Sequence, residues 1–370
     1  MLSAAELVRY QRHLGLAGFG PEAQTKLKAS SVLVVGVGGL GCPALLYLAA
    51  AGVGRLVVID PDRVELSNLQ RQLLFTTEDI GQPKAKTAAH RLRALNPEIV
   101  IEAIVARFER ANALALVGAA DVVVDGSDNF ATRYLVNDAC VLAGRPFVHA
   151  AIQGFEGQAS VFNWRGGPTY RCLFPAPPPP GAGPSCSEAG VLGVLPGMLG
   201  TLQATETIKL LAGIGEPLSG RVLLWDAWSL SIRIIALTAD PRSRMITELP
   251  PDPVGEVCPA DSGKPLDLRE ELDADALRAR LSDLQLIDVR ETPERASGAI
   301  GASVHVPLDR LATVDLLALG LEPSRPTVVY CSGGVRSRRA VQALREKQGF
   351  TDVRGLHGGY QAWMARLAAD

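Results

Sequence analysis

The strongest constraint on the fold of this chain is a glycine-rich stretch, Gly36–Gly41, set between two apolar segments. The run Val32–Val35 before it is β-branched and uninterrupted, which is typical of a strand covered on both faces. The apolar segment Pro43–Ala51 after it suits a buried helix, and the next apolar run, Leu56–Ile59, ends at Asp60. Glycines at such a turn let the backbone approach an anion at the positive end of the helix. The segment therefore predicts a strand–turn–helix–strand unit that binds a phosphate-bearing ligand.

Further apolar runs extend this unit into a sheet. Ile99–Val105 and Val122–Val124 follow, with helix-forming stretches between them. Strands separated by helical crossovers predict a Rossmann-like, doubly wound and mainly parallel sheet. After Pro146, the segments 157–164 and 222–228 predict an antiparallel extension of that sheet, with a helix over 201–212 between them. The predicted fold class is α/β.

The length of 370 residues predicts more than one domain. Residues 249–265 hold five prolines and few large apolar side chains, so we predict a linker over 249–266. The chain then divides into a domain over 1–248 and a smaller α/β domain over 267–370. Leu284–Val289 and Thr327–Tyr330 read as strands of the second domain.

Composition excludes several classes of protein. With 37 Lys and Arg against 39 Asp and Glu, the chain lacks the basic excess that nucleic-acid binding requires. It shows no apolar run of about 18 residues, so we expect no membrane span. The charged N-terminal stretch lacks the apolar core of a signal peptide, and six cysteines are too few for a disulfide scaffold. We therefore expect a cytoplasmic protein with reduced thiols.

Polar side chains past the end of the second strand suggest the kind of ligand. A triphosphate needs cations and amide donors that spread its charge, whereas a nicotinamide ring needs an apolar slot. The segment 125–129 ends another strand at the same edge of the sheet, and a carboxylate there could hold Mg²⁺. The polar set after the second strand favours a nucleoside triphosphate and consists of Asp62, Asn68, Arg71, Gln72 and Lys84.

Five motifs carry a family resemblance: Arg9–Arg12, Gly36–Gly41, Ser67–Gln72, Gly81–Lys84 and Asp128–Asn129. Over roughly residues 5–240 the chain resembles the family of MoeB, ThiF and the ubiquitin-activating enzymes. The resemblance implies a homodimer that uses ATP to adenylate the C-terminal glycine carboxylate of a ubiquitin-like sulfur-carrier protein ending in Gly-Gly.

The resemblance also implies roles for individual residues. Asp60 would bind the ribose, and Asp128 would bind Mg²⁺. Asn68, Arg71 and Lys84 would hold the phosphates. Arg12 would reach the phosphates from the neighbouring subunit. The full set expected to bind the nucleotide is Gly36, Gly38, Gly39, Gly41, Asp60, Asn68, Arg71, Gln72, Lys84, Asp128 and Asn129.

The chain departs from many members of this family at a zinc site. Such members carry two Cys-x-x-Cys pairs, whereas 169–172 and 255–258 here hold one cysteine each, Cys172 and Cys258. Two thiolates do not close a tetrahedral structural site, so we predict no structural zinc. A further cysteine, Cys186, follows a proline-rich loop over 174–184. The resemblance implies that this thiol forms an acyl or acyl-disulfide link with the carrier. We expect Cys42 and Cys140 to be core residues.

The segment Cys331–Ser337 lies between a predicted strand and a predicted helix. Its small residues allow backbone N–H groups to point at the sulfur, and Arg336 with the helix N-terminus should depress the thiol pKa and stabilise a persulfide. A cysteine phosphatase needs its arginine six positions after the cysteine, whereas Arg336 is five positions after Cys331. The shorter spacing favours sulfur chemistry over phosphate binding. With 288–291 and 356–363, this segment resembles a rhodanese domain over about 267–370, which implies that Cys331 accepts sulfane sulfur.

Together these features predict an enzyme that adenylates a sulfur carrier and then converts it to a thiocarboxylate with sulfur from Cys331. The upstream donor would be thiosulfate or a cysteine desulfurase. One alternative is a nicotinamide or flavin oxidoreductase with a thiol-sensing domain. The other is a non-catalytic docking module.

Overall fold

The computed structural model describes residues 1–177, 190–249 and 271–367. Its internal contacts divide the chain into two compact units, Met1–Val254 and Gly255–Asp370. The predicted linker falls almost wholly outside the described residues, as do the end of the proline-rich loop and Cys186.

Unit 1 begins with three short helices and continues as alternating strands and helices. The helices are α1 (Ala4–Arg9), α2 (Gln11–Leu14), α3 (Gly20–Ala29), α4 (Gly41–Ala51), α5 (Lys84–Leu95), α6 (Arg110–Gly118), α7 (Phe130–Ala143), α8 (Tyr170–Leu173) and α9 (Val194–Ala212). The strands are β1 (Ser31–Val35), β2 (Arg55–Ile59), β3 (Val100–Ile104), β4 (Val122–Asp125), β5 (Phe147–Gln153), β6 (Glu156–Phe162), β7 (Arg221–Asp226) and β8 (Ser231–Ala236). Single 3₁₀ turns span Leu66–Asn68, Thr77–Asp79 and Pro241–Arg244.

These eight strands form one sheet in the order β3-β2-β1-β4-β5-β6-β7-β8. The first five are parallel, and the last three continue the sheet in antiparallel pairs. The chain order reverses between β1 and β4, whose last residues, Val35 and Asp125, lie side by side. Ligands of such sheets bind at this reversal, outside the carboxyl ends of the strands.

Helices cover both faces of the parallel part, which explains why its strands are apolar throughout. One buried cluster joins the sheet to α3, α4, α5 and α9, and a second joins it to α6 and α7. Cys42 and Cys140 lie in these cores, as the sequence predicts. Gly52 ends α4 in the left-handed conformation at φ 82°, and a Cβ there would lie 2.4 Å from the Tyr10 ring.

The described part of unit 2, residues 271–367, is a smaller parallel sheet with four helices. The strands are β9 (Glu271–Leu272), β10 (Gln285–Asp288), β11 (Val304–His305), β12 (Thr327–Tyr330) and β13 (Val353–Leu356). The helices are α10 (Ala274–Ala279), α11 (Thr292–Arg295), α12 (Val335–Lys347) and α13 (Gly359–Leu367). The strand order is β11-β10-β12-β13-β9, and all pairs are parallel.

The predicted α/β class with its antiparallel extension is confirmed. The strands predicted over 157–164 and 222–228 end earlier, at Phe162 and Asp226, and β5 was not predicted. α9 begins at Val194 rather than Thr201, and β8, which the sequence did not predict, is an exposed edge strand. Across the ranges that the structure describes, we find no helix with the length and apolar character needed to cross a bilayer.

Candidate active site

The glycine-rich loop lies at the reversal of strand order. Gly36 follows β1 at φ 91°, and a Cβ on it would lie 2.9 Å from the Gly126 carbonyl oxygen. A Cβ on Gly41 would lie 2.0 Å from the Gly36 carbonyl oxygen. Side chains at either position would force the turn apart, since atoms this close overlap. The glycines thus hold the ends of β1 and β4 together and bring backbone N–H groups to the N-terminus of α4.

Asp60 fixes this loop from the end of β2. Its carboxylate oxygens accept hydrogen bonds from the backbone N–H of Val37 at 2.7 Å and of Asp62 at 2.8 Å. Burial raises the pKa of Asp60, and the nearby Lys84 ammonium and these backbone donors oppose the rise. The residue predicted to bind ribose therefore also shapes the loop.

Two residues of the predicted set, Arg71 and Gln72, flank the loop, and a third, Asn68, belongs to the same segment of chain. Asn68 is buried, and its Oδ1 accepts a hydrogen bond from the Glu65 backbone N–H at 3.3 Å. Arg71 lies along Gly39 and donates to the Ser67 carbonyl at 3.0 Å. Gln72 is only 3% exposed, and among the described residues its Oε1 has no hydrogen-bond partner. A buried amide without a partner is costly, so this oxygen fits a site that a polar ligand completes.

Lys84 is the first residue of α5. Its side chain is only 8% exposed, and its Nζ lies 2.9 Å from Oδ2 of Asp62, which is half exposed. A buried ammonium at this edge of the sheet places one positive charge beside the glycine loop and Asp60. This charge suits the phosphates of a nucleotide.

Asp128 and Asn129 follow β4 and play different structural parts. Asp128 is exposed. Asn129 is the N-cap of α7, and its Oδ1 accepts a hydrogen bond from the Thr132 backbone N–H at 2.8 Å. Magnesium in nucleotide sites is commonly held by one or two carboxylates together with substrate phosphates, and Asp128 provides such a carboxylate. The structure thus gives Asn129 a helix-capping role beside its predicted contact with the ligand.

A buried pair beneath this turn escaped the sequence analysis. The carboxylate of Asp125 accepts hydrogen bonds from Nδ1 of His149 at 2.8 Å and from the Ser127 hydroxyl at 2.6 Å. Gln203 of α9 donates to the Asp125 carbonyl at 2.7 Å. Burial lowers the pKa of His149, against the opposing effect of Asp125. The one available signal was a histidine inside an apolar strand, which local periodicity alone does not connect to Asp125.

The structure leaves some predicted residues apart from this cluster. Arg12 is exposed on α2, and Cys186 lies outside the described residues. Several polar groups surround the sulfur of Cys172. It accepts hydrogen bonds from the backbone N–H of Asp240 at 3.2 Å and of Thr169 at 3.3 Å. It also lies 3.1 Å from the Ser243 hydroxyl. Cys258, the single cysteine of the segment 255–258, also falls outside the described residues. Within the described ranges, no group of three or more acidic, cysteine or histidine side chains is placed to hold a metal.

Unit 2 places Cys331 at the carboxyl end of β12, 1% exposed. Its sulfur accepts a hydrogen bond from the Gly334 backbone N–H at 3.1 Å, as the predicted loop requires. α12 begins directly after this loop. The Arg336 guanidinium is bound to Glu294 through two hydrogen bonds of 2.6 and 2.7 Å. The sequence gave no indication of Glu294, and the action of Arg336 on Cys331 stays a prediction.

Family models match both units. A model of the ThiF family matches residues 10–245, and a model of the rhodanese-like domain matches residues 273–366. The chain belongs to the ThiF family and carries a C-terminal rhodanese-like domain, as the motifs predicted.

Individual relatives sharpen this assignment. The chain is 43% identical to the probable adenylyltransferase/sulfurtransferase MoeZ of Mycobacterium tuberculosis, over 100% of this chain and 95% of that protein. It is 40% identical to the adenylyltransferase and sulfurtransferase MOCS3 of Arabidopsis thaliana, over 99% and 85%. The sulfur carrier protein adenylyltransferase of Thermus thermophilus is 56% identical over 64% of this chain and 89% of its own length. The chain is an enzyme of the adenylyltransferase/sulfurtransferase class, and the oxidoreductase and docking alternatives are set aside.

A solved structure shares the fold of unit 1. E. coli MccB, determined with ATP, superposes with a TM-score of 0.56 at 25% identity, over 65% of this chain and 73% of that one.

Proposed function

We propose that unit 1 uses ATP to adenylate the C-terminal carboxylate of a ubiquitin-like sulfur-carrier protein ending in Gly-Gly. A carboxylate oxygen attacks the α-phosphorus, the bond to the bridging oxygen breaks, and pyrophosphate leaves. One observation carries the proposal: the buried Lys84 ammonium, Asp60 and the glycine loop meet where the strand order reverses. The names of the Thermus and MoeZ relatives support the same reaction.

The chain's own residues supply what this step needs. The reaction brings two anions together and develops charge on the leaving pyrophosphate, so it depends on fixed positive groups and alignment. We assign the phosphates to Lys84, Arg71 and Asn68, and the ribose to Asp60. Arg12 would contribute from the second subunit of a homodimer. Mg²⁺ held by Asp128 would neutralise phosphate charge.

Sulfur transfer follows in our proposal from the persulfide of Cys331. Its outer sulfur attacks the acyl carbon and AMP leaves, which gives an acyl disulfide between carrier and enzyme. A second thiol then attacks the Cys331 sulfur and releases the carrier thiocarboxylate. Cys186 is the candidate thiol within this chain. If Cys186 makes that attack, it is left in a disulfide with Cys331, and an external thiol reductant would return both residues to free thiols. Thiosulfate or a cysteine desulfurase would then reload Cys331. The protein would work in the cytoplasm without structural zinc.

Carrier-dependent exchange of labelled pyrophosphate into ATP tests the first step. We expect exchange with at least one carrier from the same organism, and none when the carrier lacks its last glycine. Mass spectrometry of the carrier after adding a sulfur donor tests the second step, where replacement of a carboxyl oxygen by sulfur adds about 16 Da. The variant Cys331→Ala should keep the exchange and lose the thiocarboxylate. Exchange without any carrier, or none with every carrier, would overturn the proposal.

A further inference from the structure

An ion pair between Glu294 and Arg336 lies beside the loop Cys331–Ser337, and the steps proposed above do not use it. Glu294, on the short helix α11, binds Arg336 through both carboxylate oxygens and accepts a hydrogen bond from the Ser332 hydroxyl at 2.5 Å. Ser332 is the residue next to Cys331, and the Arg336 Nη2 lies 3.3 Å from its hydroxyl. The three side chains therefore form one cluster beside the reactive sulfur.

The exposures of the two charges differ. The side chain of Arg336 is 10% exposed, whereas that of Glu294 is 32% exposed. The carboxylate is therefore the more solvent-accessible member of the pair. The pair has no net charge, and the charge of Arg336 is offset where a donor anion would need it.

Other basic side chains at this edge of the sheet also contact carboxylates, but two of them share each carboxylate. Arg338 and His357 both contact the carboxylate of Glu271, at 2.6 and 2.8 Å. Arg290 and Arg295 both contact Asp288, at 2.7 and 3.2 Å. Arg290 and Arg295 share the single negative charge of Asp288, so that group keeps one net positive charge, whereas Arg336 has the carboxylate of Glu294 as its own partner.

We propose that Glu294 is a specificity-determining residue of the sulfurtransferase site: it neutralises Arg336 at the loop mouth and so disfavours small dianionic sulfur donors. The site would then prefer a donor whose sulfane sulfur is not attached to a strongly charged group, such as a cysteine persulfide on a protein. This inference rests on the proposed function of Cys331 and refines its donor class.

Thiosulfate is the donor that the pair should disfavour. In that reaction the Cys331 thiolate attacks the sulfane sulfur of thiosulfate, the S–S bond breaks, and sulfite leaves with its electron pair. The enzyme keeps an anionic persulfide, and cyanide then takes the outer sulfur as thiocyanate and restores the thiolate. Methanethiosulfonate reacts in the same way and releases methanesulfinate, but it carries one negative charge instead of two. The two donors therefore separate the effect of charge from the effect of loop geometry.

The test compares Glu294→Gln with the wild-type full-length protein in sulfur transfer to cyanide. Glutamine keeps the size of the side chain and an oxygen that can accept from Ser332 and from the Glu291 backbone N–H, which Glu294 binds at 2.8 Å. We expect kcat/KM to rise about tenfold with thiosulfate and about threefold with methanethiosulfonate, because electrostatic repulsion scales with donor charge. Both gains should shrink as KCl is raised.

Two matched variants sharpen the comparison. Glu294→Asp keeps the negative charge, so its ratio of kcat/KM values for thiosulfate and methanethiosulfonate should stay close to that of the wild type. Glu322→Gln removes an exposed carboxylate near the start of β10, at the opposite edge of the sheet from Cys331, and should leave both donors unchanged. Thermal unfolding of each variant reports whether unit 2 stays folded.

An equal change for both donors, or no gain with thiosulfate in folded Glu294→Gln, would overturn the inference. Pyrophosphate exchange in the same preparations reports the adenylation step independently. The proposed function therefore survives if the donor preference fails, and the two failures are distinguishable.

Discussion

At the scale of single residues, Lys84 joins the fold to the chemistry. The helix start and the sheet edge place its ammonium where water is largely excluded, with Asp62 as the partner that the structure shows. An ammonium in such a place interacts strongly with phosphate charge that develops during a reaction. The ion pair with Asp62 offsets part of the hydration that this buried ammonium loses.

We predict that Lys84→Ala lowers the rate of carrier-dependent pyrophosphate exchange by about 10²- to 10³-fold, the usual cost of removing one group that stabilises transition-state charge. Lys86 lies two residues later on the same helix and is exposed, so Lys86→Ala is the matched control and should exchange at the wild-type rate. Equal rates for Lys84→Ala and Lys86→Ala would show that Lys84 does not contact the phosphates.

Cys172 is a residue whose environment sets its reactivity. Burial raises the pKa of its thiol, but hydrogen bonds from Asp240, Ser243 and Thr169 outweigh this effect, and the net pKa lies below the ordinary value. Burial dominates at Cys42 and raises the pKa of its thiol to about 12, against the smaller lowering effects of the Leu74 backbone and of the Lys84 and Arg71 charges. The thiolate is the nucleophile, so the two cysteines should differ in their reactivity.

We predict that iodoacetamide modifies Cys172 with a pH midpoint below that of a peptide thiol, while Cys42 stays unmodified over about pH 6–9. A lowered pKa keeps the thiolate populated as the pH falls, so modification of Cys172 should extend to lower pH than that of a peptide thiol. Ser243→Ala removes one hydrogen bond and should move the midpoint upward. The readout is mass spectrometry of the modified peptides. A midpoint that Ser243→Ala does not move would contradict the assigned cause.

At the scale of elements, Asp125 and His149 join β4 to β5 below the turn that carries Asp128. Both side chains are at most 1% exposed, and the Asp125 carboxylate also orders Ser127 within that turn. A buried carboxylate is tolerated because its hydrogen bonds offset the loss of hydration. The pair therefore contributes to the shape of the turn that carries Asp128.

We predict that His149→Leu lowers the free energy of unfolding of unit 1 by about 3 kcal/mol, because it leaves a buried charge without its partner. The double variant with Asp125→Asn should recover at least about 1 kcal/mol, since no unpaired charge then remains. Urea unfolding followed by tryptophan fluorescence in a Trp363→Phe background reports unit 1, which holds the other three tryptophans. Single and double variants of equal stability would show that the charge of Asp125 is not what His149 stabilises.

At the scale of the whole molecule, one chain holds an adenylation site and a sulfur-transfer site in separate units. The link raises the local concentration of the persulfide near the acyl adenylate without any new contact. Our proposal also requires a second copy of the chain, because Arg12 is exposed on α2 and would act in the neighbouring subunit. This requirement can be tested without a structure of the dimer.

We predict that Arg12→Ala and Lys84→Ala are each strongly impaired in pyrophosphate exchange but that refolding or co-expressing them together restores activity. In a mixed dimer, one site combines an intact Lys84 with the partner's intact Arg12, so about a quarter of all sites should be active in an equal mixture. A mixture of Arg12→Ala with itself, at the same total concentration, is the control. Absence of recovery in a confirmed mixed dimer would place Arg12 in its own subunit's site or outside the chemistry.

The sequence alone determined what depends on neighbours along the chain. The glycine loop, Asp60 at a strand end, the apolar parallel strands and the Cys331 loop are all readable because a turn, a strand or a helix start is a local property. Tertiary structure decided where distant segments meet. α9 extends back through Pro196 and Gly200 because the small Gly200 lets it approach Leu40 and Pro43 of the α4 region, where a Cβ would lie 2.3 Å from the Leu40 carbonyl oxygen.

The same reason explains the residues that the sequence did not reveal. His149 is 24 positions from Asp125, and Arg336 is 42 positions from Glu294. In each pair one charge is held by a group that no local pattern connects to it, since hydrogen bonds and ion pairs form wherever the fold brings two side chains together. The sequence determined which elements and motifs exist. The packing within each unit decided which polar groups complete its site.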